Sequence, residues 1–184
     1  MVSGRKSDYV ALLRGINVGG KHRLPMSELV GFCEALGCTD VRTYIQSGNV
    51  VFSASRALAR ALPKRLSEAI MEQAGLSVPV VIRASSELHE VVQANPFVGR
   101  GIQTKVLHVA FLQRAPRAPD LGSLDHWRCT PDEFEVVGSN VYLHCPRGFA
   151  RTKLTTAYFD TRLRVVSTVR NWKTVLTLDD MVTE

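Results

Sequence analysis

The stretch Arg14-Gly15-Ile16-Asn17-Val18-Gly19-Gly20-Lys21 brings glycines and cations together at nearly the spacing of a phosphate loop. From Gly15 to Gly20-Lys21 the intervening length fits that loop. His22 then stands where a serine or threonine would hold magnesium, and Leu24-Pro25 delays the helix that should follow. The dinucleotide fingerprint needs glycine at its first, third and sixth positions, and Asn17 breaks it. Neither nucleotide motif survives. What is left is simpler: consecutive backbone N–H groups that can cradle an anion, with Arg14, Lys21, His22 and Arg23 around them. The alternative is a strand-to-helix crossing in which the glycines only supply positive φ.

Cations recur at expected helix starts, where the helix dipole favours acids. Arg151 and Lys153 follow the turn Pro146-Arg147-Gly148, and Arg170 and Lys173 open the last expected helix. Each cation so placed costs about 0.3–1 kcal/mol unless an anion compensates it. Pairing with Asp160, Asp179 or Asp180 is the other resolution. The expected anion site therefore comprises Arg14, Asn17, Gly19, Gly20, Lys21, Arg151, Lys153, Arg170 and Lys173. Gln46 and Asn49, at a hairpin tip, are secondary candidates, with turn-stabilising side chains as the alternative reading.

Candidates for catalysis are fewer. His108 in "VLHVAFL" and His144 in "VYLHC" could approach one another if their strands are neighbours; the preferred reading is hydrogen-bonded structural histidines. A zinc set of His126, Cys129, His144 and Cys145 fails because adjacent strand residues face opposite ways. No cysteine pair has the spacing of a zinc knuckle or a redox motif, so Cys33, Cys38, Cys129 and Cys145 read as reduced structural residues. No nucleophile has a base and orienting group assigned to it by spacing. Asp132, Glu133, Glu135, Asp179 and Asp180 read as solvated faces. Neither a metal nor a cofactor is expected, and catalytic residues are unassigned.

The elements that must position these groups follow from periodicity. "DYVALLRG" reads as a buried strand, "LPMSELVGFCEALG" as a helix with Pro25 in its first turn and Gly37 at its end, and "VRTYIQSGNVVFSA" as a hairpin. At its tip Gly48 and Asn49 are expected to take positive φ. A helix over "ARALPKRLSEAIMEQAG" should become regular only near Pro63, and "VPVVIR" is a strand. Strand, helix, two strands, helix, strand is βαββαβ, the ferredoxin-like order. After a linking helix, "SSELHEVVQA", the order recurs: "KVLHVAFLQ", a Pro-rich stretch with at most a short helix, the hairpin "EFEVVGSNVYLHC", a helix over "ARTKLTTAYFDTRL", a short strand "RVVS" and a terminal helix. The fold class is α+β: two ferredoxin-like subdomains, mostly antiparallel sheets with helices packed on them. Their bounds are residues 1–84 and 105–184, joined by 85–104. The repetition rests on element order.

"ALLRGINVGG", "RTYIQSGNVVFS", "ANPF", "LHVAFL" and "RNWKTV" occur in an order that resembles the domain-of-unknown-function family numbered 1697. The resemblance runs from Tyr9 to about Val182. It implies a small bacterial-type α/β protein with two ferredoxin-like subdomains and no established activity, and it supplies no catalytic residues. Two positions depart from its pattern: Lys173 stands where asparagine is more usual, and Thr152 where serine is.

The chain has 184 residues, a formal charge of +6 and 45% hydrophobic residues, the composition of a globular protein with a sizeable core. No apolar run is long enough to span a membrane, and "MVSGRKSDYV" lacks the apolar core of a secretory signal, so a cytoplasmic location is expected. The excess positive charge fits an anionic partner. Binding of a phosphate-bearing small molecule in a basic cleft between the subdomains is the leading expectation. Nucleic-acid binding, an enzyme at the subdomain interface and a protein-interaction adaptor are the alternatives. Oligomeric state is left open.

Overall fold

The structure, a computed structural model, describes residues 7–19 and 23–183. It divides into two compact units, one formed by the chain up to His89 together with Leu178 onward, the other by Glu90–Thr177. Each contains a four-stranded antiparallel sheet, and the α+β class is as the sequence leads one to expect.

The first unit runs β1 (Ser7–Leu13), α1 (Met26–Ala35), β2 (Thr39–Tyr44), β3 (Asn49–Ala54), α2 (Arg56–Ala74) and β4 (Val80–Ala84), continuing into α3 (Ser85–Gln93). Its strand order is β2-β3-β1-β4. Alternation along β1 turns Tyr9, Ala11 and Leu13 to one face, where Leu29, Phe32 and Cys33 of α1 and Ala59, Leu62, Leu66 and Ile70 of α2 complete a core. The α2 residues recur every three or four positions, the spacing that keeps one helical face inward. Ser55 caps α2 by accepting from Leu58 N–H, so the helix starts at Arg56 and passes through Pro63. The expected late start is therefore corrected: the cap stabilises about two turns ahead of the proline, which does not end the helix.

The second unit runs β5 (Leu107–Leu112), α4 (Ala118–Leu121), β6 (Glu133–Val137), β7 (Asn140–His144), α5 (Thr156–Leu163) and β8 (Ser167–Asn171), leading into α6 (Trp172–Thr183). Its order, β6-β7-β5-β8, repeats that of the first sheet. Ala110 and Leu112 face a core with Leu143, Leu154, Tyr158, Phe159 and Leu163. Helix α5 begins at Thr156, where Thr155 accepts from Tyr158 N–H. The last strand starts three residues later than "RVVS" and ends four later, so it takes in Arg170.

The repetition extends to individual residues. Val10-Ala11-Leu12-Leu13 in β1 corresponds to Val109-Ala110-Phe111-Leu112 in β5. Val10 pairs with Arg83 and Val109 with Arg170; Leu12 pairs with Asn49 and Phe111 with Asn140. Leu13 N–H donates to Gly48 C=O at 2.8 Å, and Leu112 N–H to Ser139 C=O at 2.9 Å. The strand after the second helix closes each sheet likewise, through Arg14 N–H to Pro79 C=O and Gln113 N–H to Val166 C=O.

Candidate functional site

Asn17 ties the described part of the glycine loop to its neighbours. Asn17, at φ +55°, donates from Nδ2 to Leu24 C=O (2.9 Å) and Gln46 C=O (2.8 Å) and accepts from Leu24 N–H at Oδ1 (2.9 Å). Its amide is spent on backbone, so Asn17 is a clamp between the loop and the β2–β3 hairpin rather than an anion ligand. Arg14 is half-buried and Gly19 exposed; Gly20 and Lys21 lie outside the described residues.

At the hairpin tip, Ile45 and Gly48 take positive φ, and Asn49 does not. Asn49 instead starts β3, fully buried, with Nδ2 donating to Tyr44 C=O and Ser47 Oγ. Its role is structural. Gln46 presents its backbone carbonyl to Asn17 while the residue itself is exposed.

In the second unit the expected helix-start cations are placed differently. Arg151 closes a short 3₁₀ turn, Phe149–Arg151, and Lys153 precedes the first residue of α5. Both precede that helix and its Thr155 cap. Arg170 is buried in β8, bonding Thr168 Oγ1 and Val169 C=O at 2.9 Å each, and burial pushes its guanidinium down to about 10. Lys173 is exposed in the first turn of α6, which Asn171 caps by accepting from Thr174 N–H at 2.8 Å.

A local convergence does emerge. Arg147 Nη2 donates to Thr130 C=O at 3.2 Å. Burial pushes the Cys129 thiol up, with the Asp132 charge adding to it, against the Lys153 N–H bonded to its sulfur and the charges of Arg128 and Lys153. Arg128 also lies over the Tyr158 ring, 5.0 Å from its centre, with Arg162 at 6.0 Å. Beside them Trp127 is 85% exposed, on a turn fixed by Trp127 N–H to Asp125 Oδ1 and by Asp125 N–H to Tyr158 Oη. His126 stacks on Phe134 at 4.3 Å. Asp132, buried, is the opposing charge; desolvation first and Asp132 next push Cys145 up to about 11. Thr152, the departure from serine, bonds the Cys145 thiol and Leu154 N–H.

His108 and His144 do not meet. Their strands are neighbours, but His108 pairs with Leu143 and His144 with Leu107, so the imidazoles occupy opposite faces. His108 is buried against Phe149 at 4.7 Å, and desolvation holds it below the usual histidine range. His144 Nδ1 lies 2.9 Å from Glu133 Oε1, whose other oxygen takes Arg100 Nη2 at 3.0 Å. The hydrogen bond with His144, seconded by Arg100, holds Glu133 below its ordinary range. Nor is Asp179 a solvated residue: it is buried, with its carboxylate 3.2 Å from His89 Nδ1.

Sequence reasoning missed Arg83, Arg100, Arg128 and Trp127. Only Trp127 carried a signal, an aromatic residue in a proline-rich, basic stretch. Among the described residues, no group of three or more histidine, cysteine, aspartate or glutamate side chains is placed to hold a metal ion. Among the described residues, no helix is long and apolar enough to cross a membrane.

Fold and site thus define a basic α+β protein of two similar antiparallel units, with a cluster of cations and one bare indole on the second. The chain belongs to the family described as "Protein of unknown function (DUF1697)", whose sequence model matches residues 7–142. It is similar in fold to the conserved bacterial protein SP0830 from Streptococcus pneumoniae, at TM-score 0.75 and 20% identity, over 98% of this chain and 100% of that one. No curated protein matches the chain.

Proposed function

We propose that this protein binds a phosphate-bearing small molecule and that the second unit supplies the grip. The observation carrying this reading is that Arg147 bonds Thr130 C=O while Lys153 N–H bonds the neighbouring Cys129 sulfur, on which the charges of Arg128 and Lys153 both act. Like charges gathered without an equal number of acids raise the local potential and favour an anion. Arginine adds planar, bidentate recognition of phosphate. Trp127 offers a flat face on which an aromatic part of the ligand can stack. In the first unit the Asn17 side chain is spent on backbone groups and adds nothing to that grip.

The exposed indole also suits a base of single-stranded nucleic acid. Salt separates the two: a strand neutralising several phosphates loses affinity with a slope of roughly 0.7 per contact on logarithmic axes, whereas a mononucleotide has few contacts to lose. Trp127 fluorescence supplies the readout, because Trp172 is only 2% exposed and gives a steady background. Titration with inorganic phosphate, a nucleoside monophosphate and a short oligonucleotide should give a saturable change with a phosphate ligand, absent in Trp127→Phe. Removing the opposing charge with Asp132→Asn should tighten binding. A response that never saturates, or that Asp132→Asn weakens in a folded protein, contradicts the reading.

A further inference from the structure

Helix α1 ends in a motif whose two hydrogen bonds are both present: Gly37 N–H to Glu34 C=O at 2.9 Å and Cys38 N–H to Cys33 C=O at 3.0 Å. Gly37, at φ +99°, makes the left-handed turn that such an ending requires. This geometry folds the second residue beyond the helix back onto the third from its end, and the side chains there normally meet as an apolar pair. Here the two positions are Cys38 and Cys33. The Cys33 thiol donates a hydrogen bond to the Cys38 sulfur, and both residues belong to one core cluster, Cys33 at 0% and Cys38 at 4% exposure.

We propose that Cys33 and Cys38 are a dithiol oxidation site, closed to an intramolecular disulfide by a hydroperoxide such as hydrogen peroxide. The backbone hydrogen bond fixes the separation of the two residues before any reaction, which supplies the proximity a disulfide needs. The two sulfurs are inequivalent. The hydrogen bond from Cys33, opposed by burial and aided by the Arg65 charge, draws Cys38 below the ordinary thiol range and holds Cys33 protonated above it. Cys38 is therefore the attacking thiolate.

The Cys38 sulfur attacks one peroxide oxygen, the O–O bond breaks, and the departing hydroxide takes the Cys33 proton to become water. Cys38 is left as a sulfenic acid. The Cys33 thiolate then attacks the Cys38 sulfur; the S–S bond forms, the S–O bond breaks, and the second hydroxide takes from solvent the proton Cys38 had released. Two thiols lose two electrons and one peroxide becomes two waters.

Glu34 lies between the cysteines, so a glutamate-specific protease separates their fragments unless a disulfide joins them. The full native chain should be treated with hydrogen peroxide, alkylated, unfolded and digested. The expected product is a Cys33–Cys38 linked pair, released by reductant, while Cys129 and Cys145 stay alkylated. In Cys33→Ser the reaction should stall at a sulfenic acid on Cys38 that dimedone traps; Cys38→Ser should give no adduct on Cys33. Retention of all thiols, prior oxidation of Cys129 or Cys145, or pairing across those sites would overturn the proposal. The wild-type digest decides the matter even if a variant fails to fold.

Discussion

Asn17 occupies a left-handed conformation and satisfies three backbone groups with one amide. Asn17→Ala leaves those groups without their partner and puts alanine, which tolerates the left-handed region less well than asparagine, at positive φ, at an expected cost of about 2–3 kcal/mol in urea unfolding. Phosphate affinity should not change. In the sequence, Asn17 reads as well for an anion ligand as for a clamp, because a residue's type states which donors it carries and not where they point. His108 shows the same limit: its neighbour strand was legible, its face relative to His144 depended on register. Buried neutral, it has a folded pKa lowered from 6.5, so the unfolded chain binds the additional proton. Stability should therefore fall as the pH drops through about 6.5 toward the lowered folded value. Thermal midpoints of wild type and His108→Leu between pH 5 and 7.5 should show a flatter dependence in the variant; equal slopes would contradict the assignment.

At the scale of elements, Gly48 joins a turn to a close contact. It has φ +75°, and a Cβ there would lie 2.7 Å from Leu13 Cβ and 2.8 Å from Ile16 Cδ1. Gly48→Ala should destabilise by about 2–4 kcal/mol, and calorimetry showing less than 1 kcal/mol would mean the hairpin tip relaxes freely. The element order was legible because alternation in β1 and β5 and the three-to-four spacing in α2 are strong signals. Helix starts were less so. "ARTKLTT" continues the apolar spacing of α5 toward Arg151, and only the Thr155 cap stops it. With the start at Thr156, Arg151 and Lys153 lie outside the first turn of α5, where a cation would oppose the helix dipole. Arg170 lies outside any first turn too, as a strand residue.

Across the whole molecule the repeat is the organising fact. Val-Ala-Leu-Leu and Val-Ala-Phe-Leu take the central strand of each sheet, and an arginine faces the same valine in each edge strand, Arg83 and Arg170. Short repeats of common apolar residues look slight in a linear sequence; register makes them correspond. The units then diverge in loops. One carries a glycine loop clamped by Asn17, the other the turn that exposes Trp127 and gathers Arg128, Arg147 and Lys153. Net charge of +6 was legible at once, but its concentration on one unit required two segments distant in sequence to meet. The most direct test compares wild type with the Arg147→Ala, Lys153→Ala double variant in the Trp127 titration at two salt concentrations. Loss of the two contacts should weaken the phosphate ligand by about tenfold or more, with Trp127 emission of the free protein unchanged. Equal affinities in the two folded proteins would contradict the account.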